Sequence, residues 1–270
     1  MILLKSAIKS RVRSALKSFN LRVGNYDTIT NAIENATAFD HIPAYVHLLL
    51  NLPDDHIRKL LPYITKAKSQ IGQDLFVLST LNFKRNGYFV EFGATNGVQL
   101  SNSFMLEKSF GWTGILAEPA KLWHNALKQN RDCHIETDCV WRDSTSTLEF
   151  NEVMAAEHST VNAFSNLDCH ASLRKHGRRY KVATISLTDL LKKYAAPSEI
   201  DFLSIDTEGS ELDILNAFDF QRYRFKVITC EHNRTSNREK IHRLLSSHGY
   251  GRTMEDVSDF DDWYVRIDSA

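Results

Sequence analysis

The sequence predicts an α/β fold with a mostly parallel sheet, and three observations carry that prediction. Apolar runs of strand length alternate with helical stretches along the chain. Three of those runs end in acidic residues: 88–92 with Glu91, 112–117 before Glu118-Pro119, and 200–205 before Asp206. The first two lie about one βαβ unit apart. A ligand crevice is expected at the carboxyl ends of such strands.

The chain has 270 residues, enough for one large α/β domain with an extension or for two small domains. Formal charge balances at zero, but unevenly. Residues 1–23 carry six bases and no acid, which leaves 27 bases against 33 acids, a net of −6, in the rest. An acidic body argues against nucleic-acid binding. No apolar run approaches the ~20 residues that span a bilayer. Cys133, Cys139, Cys169 and Cys230 match neither a disulfide framework nor a zinc site, which suits a reducing, cytoplasmic compartment.

In chain order, residues 2–21 read as a basic amphipathic helix, with Leu4, Ile8, Val12, Ala15 and Phe19 at helical spacing. Two readings stand. The helix lies peripherally on an anionic membrane at its inner face, or it packs on its own domain or on a second subunit in a homo-oligomer. Residues 20–38 form a polar linker. Residues 39–68 read as short helices broken by Pro43, Pro53 and Pro62. Residues 1–68 are therefore expected to form an N-terminal helical extension, and 69–270 the main domain. In Ser69-Gln70-Ile71-Gly72-Gln73-Asp74 the chemistry alone favours capping of the following helix.

The central stretch is Tyr88-Phe89-Val90-Glu91-Phe92-Gly93-Ala94-Thr95-Asn96-Gly97, a buried strand that runs into a glycine loop. Glycine there permits positive φ and close approach of a ligand. A helix is expected over 98–110. The loop lacks Gly-x-Gly-x-x-Gly, and Glu91 would repel a pyrophosphate, which counts against a nicotinamide-dependent oxidoreductase. An acid beside a glycine loop suits a cationic ligand, such as the amino group of S-adenosylmethionine. Strand 112–117 places Glu118 where a cofactor ribose is held; the competing role is a helix N-terminal acid. Helix 121–129 and strand 133–137 follow, with Asp138 beyond the strand, and 147–151 is a further short strand. Residues 152–180, with His158, His170 and His176, have no clean periodicity and form a candidate substrate-facing loop. Strand 181–186, helix 187–194 and strand 200–205 lead into Asp206-Thr207-Glu208-Gly209-Ser210-Glu211 and a helix. Acids so concentrated at a strand end suit cation binding or proton management, while capping is the plainer role for Glu208 and Glu211. Strand 225–230 ends in Glu231-His232-Asn233. Helix 237–247 and a hairpin of 250–254 with 262–267 close the sheet.

With these pieces in order, the chain resembles the FkbM family of S-adenosylmethionine-dependent methyltransferases from about residue 69 to 267. Ser69–Asp74, Phe89–Gly97, Ser101-Asn102-Ser103, Gly111-Trp112-Thr113-Gly114 with Glu118-Pro119, and Ile205–Glu211 carry the likeness. Asn96 and Ser103 stand where the family commonly has Asp and Thr. The resemblance implies a class I, Rossmann-like methyltransferase fold with seven strands, the last antiparallel. It implies that Glu91, Gly93, Ala94 and Gly97 line the methionine end of S-adenosyl-L-methionine. Glu118 would hold the ribose, Asp138 would lie near the adenine, and Asp206 would face the transferred methyl. It also implies O-methylation of a hydroxyl on a sugar, glycan or natural product.

A hydroxyl acceptor must lose a proton. Asp206, Glu208, Glu231 and His232 are the candidate catalytic residues. A metal-free site with His232 or Glu231 as base is the first expectation, and a divalent cation held by Asp206 and Glu231 is the second. The rival from another class is a non-catalytic binding or scaffold protein on the same fold.

Overall fold

The computed structural model describes residues 42–153, 159–165 and 171–267. The expected helix over 2–21, together with His158 and His170, lies outside the described residues. The chain divides into two compact units, Met1–Lys66 and Ala67–Ala270.

The described part of the first unit is helical. Helix α1 spans Ile42–Leu50 and α2 spans Asp54–Leu60, followed by a 3-10 turn at Leu61–Tyr63. Pro43 sits in the first turn of α1, where its missing N–H costs no hydrogen bond. Asp54 and Asp55 open α2 while Arg58 and Lys59 close it, which complements the helix dipole.

The second unit is built on a seven-stranded sheet. Its elements run α3 (Gln73–Thr80), β1 (Tyr88–Phe92), α4 (Phe104–Phe110), β2 (Thr113–Ala117), α5 (His124–Asn130), β3 (His134–Glu136), β4 (Cys139–Trp141), β5 (Thr147–Glu152), β6 (Thr160–Val161), β7 (Arg178–Ser186), α6 (Leu187–Lys193), β8 (Glu199–Ile205), α7 (Glu211–Asn216), β9 (Arg224–Glu231), α8 (Arg238–Ser247), β10 (Tyr250–Thr253) and β11 (Asp261–Arg266). The sheet order is β10-β11-β9-β8-β1-β2-β3. Strand β11 is antiparallel to both neighbours, and the other pairings are parallel. The chain proceeds outward through β1, β2 and β3, then returns to the other side of β1. The switch point therefore lies between β1 and β8, where the strand ends diverge and leave a crevice.

Strands buried on both faces need a largely apolar sequence, and the middles of β1, β8 and β9 supply it. Val90, Leu203 and Ile228 are fully buried in one core. At the opposite ends of these strands Asp201 receives Lys84 Nζ at 2.7 Å, Lys226 Nζ at 2.9 Å and the Tyr88 amide at 3.1 Å. The motif at 69–74 is structural for the most part. Asp74 accepts from Ser69 Oγ at 2.6 Å and from the Lys68 and Leu75 amides, and Gln73 Nε2 donates to Asp261 on β11 at 2.8 Å.

Two expectations change. The helix after the glycine loop begins at Phe104 rather than at residue 98. Residues 98–103 instead turn inward: Leu100 has φ +57°, and the three residues after it hydrogen-bond Glu91. Strands β5 and β7, expected singly, pair antiparallel with each other from Thr147↔Ala183 to Glu152↔Arg178. With β4 and β6 they make a second, four-stranded sheet.

Truncation at the centre of the main core tests this packing. Leu203→Ala should lower unfolding free energy by about 2–5 kcal/mol in denaturant titration. A loss well below 1 kcal/mol would mean that Leu203 is not a central core residue.

Candidate active site

A cleft of about 370 Å³ opens at the carboxyl ends of β1, β2, β8 and β9. Among the described residues, its lining carries six carboxylates, on Glu91, Glu118, Asp206, Glu208, Glu231 and Asp259, against one basic side chain, Arg234. The second sheet contributes Val140, Phe150 and Val161, and Gln70 joins from the 69–74 motif.

Gly93 makes the close approach of strand ends possible. Its φ is +72°, and a Cβ there would fall 2.1 Å from the Asp206 carbonyl oxygen. The space it frees is taken by the chain's own backbone rather than by a ligand. Gly97, also at positive φ, faces helix α5: a Cβ would meet Arg131 Cγ at 2.6 Å and Leu127 Cδ1 at 2.7 Å. Gly97 and Ala94 are not among the cleft residues, and neither is Asp138. The Asp138 amide donates to Glu136 Oε1, and the next two residues, Cys139 and Val140, face the cleft instead.

Glu91 is buried and held on several sides. It accepts from Ser101 Oγ at 3.1 Å, from the Asn102 amide at 2.7 Å and from Ser103 Oγ. Arg131, also buried, donates to both hydroxyls, at 3.1 Å and 2.8 Å, to the Gly97 carbonyl at 2.9 Å, and to Glu107 at 2.8 Å. Its guanidinium lies over the rings of Phe89 and Phe104. Arg131 thus connects the serines that position Glu91 to the loop and to α4. No spacing or composition signal distinguishes it from a surface base.

Glu118 ends β2. Its Oε2 accepts from the Thr95 amide at 2.8 Å and its Oε1 from the Ala120 amide at 2.7 Å. Burial pushes its carboxyl up to about 7, with the amide bonds opposing. Each oxygen keeps a second lone pair for a ligand.

Asp206, Glu208 and Glu231 converge, with one carboxylate oxygen from each all within 4.8 Å of one another. Burial first, and repulsion between neighbouring carboxylates second, push Asp206 and Glu231 well above the ordinary carboxylate range. The two interact with each other, and Glu231 Oε2 meets no donor among the described residues. Glu208 is different: it accepts from Arg174 Nη2 at 2.8 Å and Asn233 Nδ2 at 3.1 Å. Glu211 has the capping role, accepting from the Thr207 amide and hydroxyl and the Gly209 amide. The three converging carboxylates suit a shared proton or a hard divalent cation.

His232 is not among the cleft residues. Its Nδ1 accepts from the Arg234 amide at 2.9 Å, and its Nε2 lies 3.7 Å from Asp262 Oδ1. The ring is turned toward β11, because Asp262 there gathers His232, Arg238 and Arg252. Of the candidate acids and bases, Asp206, Glu208 and Glu231 therefore line the cleft and His232 does not.

A family model for the FkbM methyltransferase domain matches residues 91–265. No curated protein matches the chain. Among solved structures, precorrin-6y C5,15-methyltransferase from Geobacter metallireducens is 14% identical, with a TM-score of 0.36 over 68% of this chain and 74% of its own. A TehB-like S-adenosylmethionine-dependent methyltransferase from Corynebacterium glutamicum is 8% identical, with a TM-score of 0.37 over 79% of this chain and 97% of its own.

The buried acids make stability depend on pH in a defined direction. Burial raises Asp74 to about 6, and Glu118 and Asp261 to about 7, above their unfolded values near 4. The folded protein therefore holds protons that the unfolded chain has released. This stabilisation is full below the unfolded values and is lost as pH rises through the folded ones. Half-buried His124 and buried His232, both shifted down by loss of hydration, oppose it only below about 6.5. The melting temperature should fall between pH 6.5 and 8; a flat or rising profile there would contradict the burial of these carboxyls.

Proposed function

The chain belongs to the FkbM family of S-adenosylmethionine-dependent methyltransferases, and on that premise we propose that it O-methylates a hydroxyl of a sugar, glycan or natural product. The observation that carries this reading is the Asp206–Glu231 pair, two carboxyls raised by burial and by the carboxylates around them at the ends of neighbouring strands. A hydroxyl releases its proton only at high pH, so a carboxylate of ordinary acidity is a poor base for it. A pair raised above the ordinary carboxylate range is a better one.

The residues present fit the cofactor. Six carboxylates against one arginine favour a cationic ligand, and S-adenosylmethionine carries a sulfonium and an ammonium. When bound it supplies an electrophilic methyl for in-line displacement. Glu118 would accept from the ribose hydroxyls. Glu91, held by Ser101, Asn102 and Ser103, would face the methionine end. Asp206 would position the reacting end, and Glu231 would take the acceptor proton at its unpaired oxygen. The acidic cleft also disfavours anionic acceptors, which supports a neutral polyhydroxyl compound.

No helix of the described residues is long and apolar enough to cross a membrane. We keep, as a proposal, a cytoplasmic protein with peripheral contact through residues 2–21, motivated by six bases in residues 1–23 joined to a remainder of net −6. Binding to anionic vesicles should then fall with added salt.

Labelled methyl transfer into a panel of neutral sugars and glycans tests the acceptor class; transfer to amines alone would overturn it. On an acceptor so found, Glu231→Gln should cut turnover by roughly 10²–10⁴-fold with cofactor affinity little changed. Glu118→Gln should instead weaken cofactor binding, by about 1–3 kcal/mol. Near-normal turnover in Glu231→Gln would remove it as the base. Loss of turnover with chelator and recovery with a divalent ion would replace the shared proton by a cation.

A further inference from the structure

The strand ends divide the cleft into two sides. In sheet order they run β2, β1, β8, β9 and β11. In the proposed function, Glu118 after β2 and Glu91 in β1 face the cofactor, and Asp206 and Glu231 face the reacting groups. The lining beyond them, on the β11 side, carries Asn233, Arg234, Asp259 and Phe260. Asp261 at the start of β11 pairs in register with Glu231 at the end of β9, so segments 232–234 and 259–260 are neighbours. The Phe260 carbonyl accepts from the His232 amide at 2.9 Å and from the Asn233 amide at 3.2 Å.

Asn233 and Arg234 both have positive φ, +44° and +55°, and so does Asp259, +49°. Such backbone is uncommon for residues with side chains and clusters at ligand clamps. His232 holds this turn from outside the lining. Its Nδ1 accepts from the Arg234 amide at 2.9 Å, and its carbonyl accepts from the Thr235 amide at 2.8 Å. At the exposed rim the Arg234 guanidinium donates to Asp259 Oδ1. It keeps further N–H donors, and the carboxylate keeps further lone pairs.

Gln70 enters the same lining from the 69–74 motif. Ser69, Gln73 and Asp74 direct their side chains to partners within the fold. Gln70 is half-buried, and its side-chain amide meets no hydrogen-bond partner among the described residues. The Ser69–Leu100 bridge and the Gln73–Asp261 bond place the segment between the loop after β1 and the start of β11. A side-chain amide offers donors and an acceptor together.

We propose that Gln70 and the Arg234–Asp259 pair recognise the acceptor by adjacent hydroxyls of a saccharide ring. The inference rests on the proposed O-methylation and narrows its acceptor to a sugar or glycan, excluding a phenolic natural product. Each hydroxyl of such a ring both donates and accepts, which an amide and an arginine–carboxylate pair match. Phe260 adds apolar surface for the C–H face of the ring. A simple phenol has one hydroxyl, taken at Glu231, and leaves these polar groups unmatched.

Labelled methyl transfer by the full chain is measured on methyl glycosides and short glycans, on their monodeoxy analogues, and on simple phenols. Saccharides should be methylated and phenols not. On the best saccharide, Gln70→Met and Arg234→Met should each raise the acceptor KM about tenfold. Turnover should change less, and S-adenosylmethionine affinity by calorimetry should stay at the wild-type value. The wild type should discriminate against analogues that lack a recognised hydroxyl, and each variant should lose the discrimination its residue supplied. A variant that keeps the wild-type KM removes its residue from the subsite; if both keep it, the proposal fails. A raised KM with discrimination intact in both variants makes the residues merely structural, and weakened cofactor binding in both assigns them to the cofactor instead; either result overturns the proposal. If Gln70→Met does not fold, Arg234→Met decides, at a side chain 72% exposed. Transfer to phenols alone overturns the saccharide acceptor and leaves O-methylation standing, whereas transfer to no hydroxyl overturns the proposed activity itself.

Discussion

The site depends on how closely the ends of β1 and β8 approach. The Asp206 carbonyl occupies the space where any other residue at position 93 would place its Cβ. Gly93 therefore sets the distance between the loop that follows β1 and the acidic turn that follows β8. The crevice at this switch point exists because the chain reverses direction across the sheet here. Its depth and shape follow from one glycine against one carbonyl, with Glu91 and Asp206 on either side of that contact.

The cleft gathers acids at the expense of folding stability. Glu118, Asp206 and Glu231 each lose hydration and hold their protons longer than free carboxyls would. The protein offsets this unequally. Glu91 and Glu118 receive backbone amides, and Glu208 receives a buried arginine. Among the described residues, Glu231 Oε2 meets no donor at all. A protein that needed these groups only for structure would satisfy them; polar groups left unsatisfied in a buried cleft are common where a ligand completes the set.

Much of the fold was legible because β1, β2, β8 and β9 are largely apolar runs that end at glycine, proline or acids. The second sheet was less so. Strand β4 is only three residues long, and the start of β7, Arg178–Tyr180, is polar and mostly exposed, so it reads as loop. The lining of the candidate cleft was legible where residue type and strand end coincide, as at Glu91, Glu118, Asp206 and Glu231. It was misread where direction mattered. Gly97 has the spacing of a ligand loop yet faces helix α5, and His232 follows a strand end yet turns to Asp262. Arg131 and Arg174 were missed as site residues because nothing local marks a base that tertiary structure will bury.

The hydrogen bonding of the β5–β7 ribbon has a consequence for sequence change. Six residue pairs, from Thr147↔Ala183 to Glu152↔Arg178, set its register, and the long connection between the two strands leaves and returns at one end of it. Residues can be added to or removed from the middle of that connection without shifting a single pair, provided that Thr160, Phe164 and Arg174 still reach the 206–210 turn. The fold thus separates a scaffold that must keep its length from a span free to vary in it. Homologues with different acceptors are expected to differ most in length at this place, and least between β8 and β9.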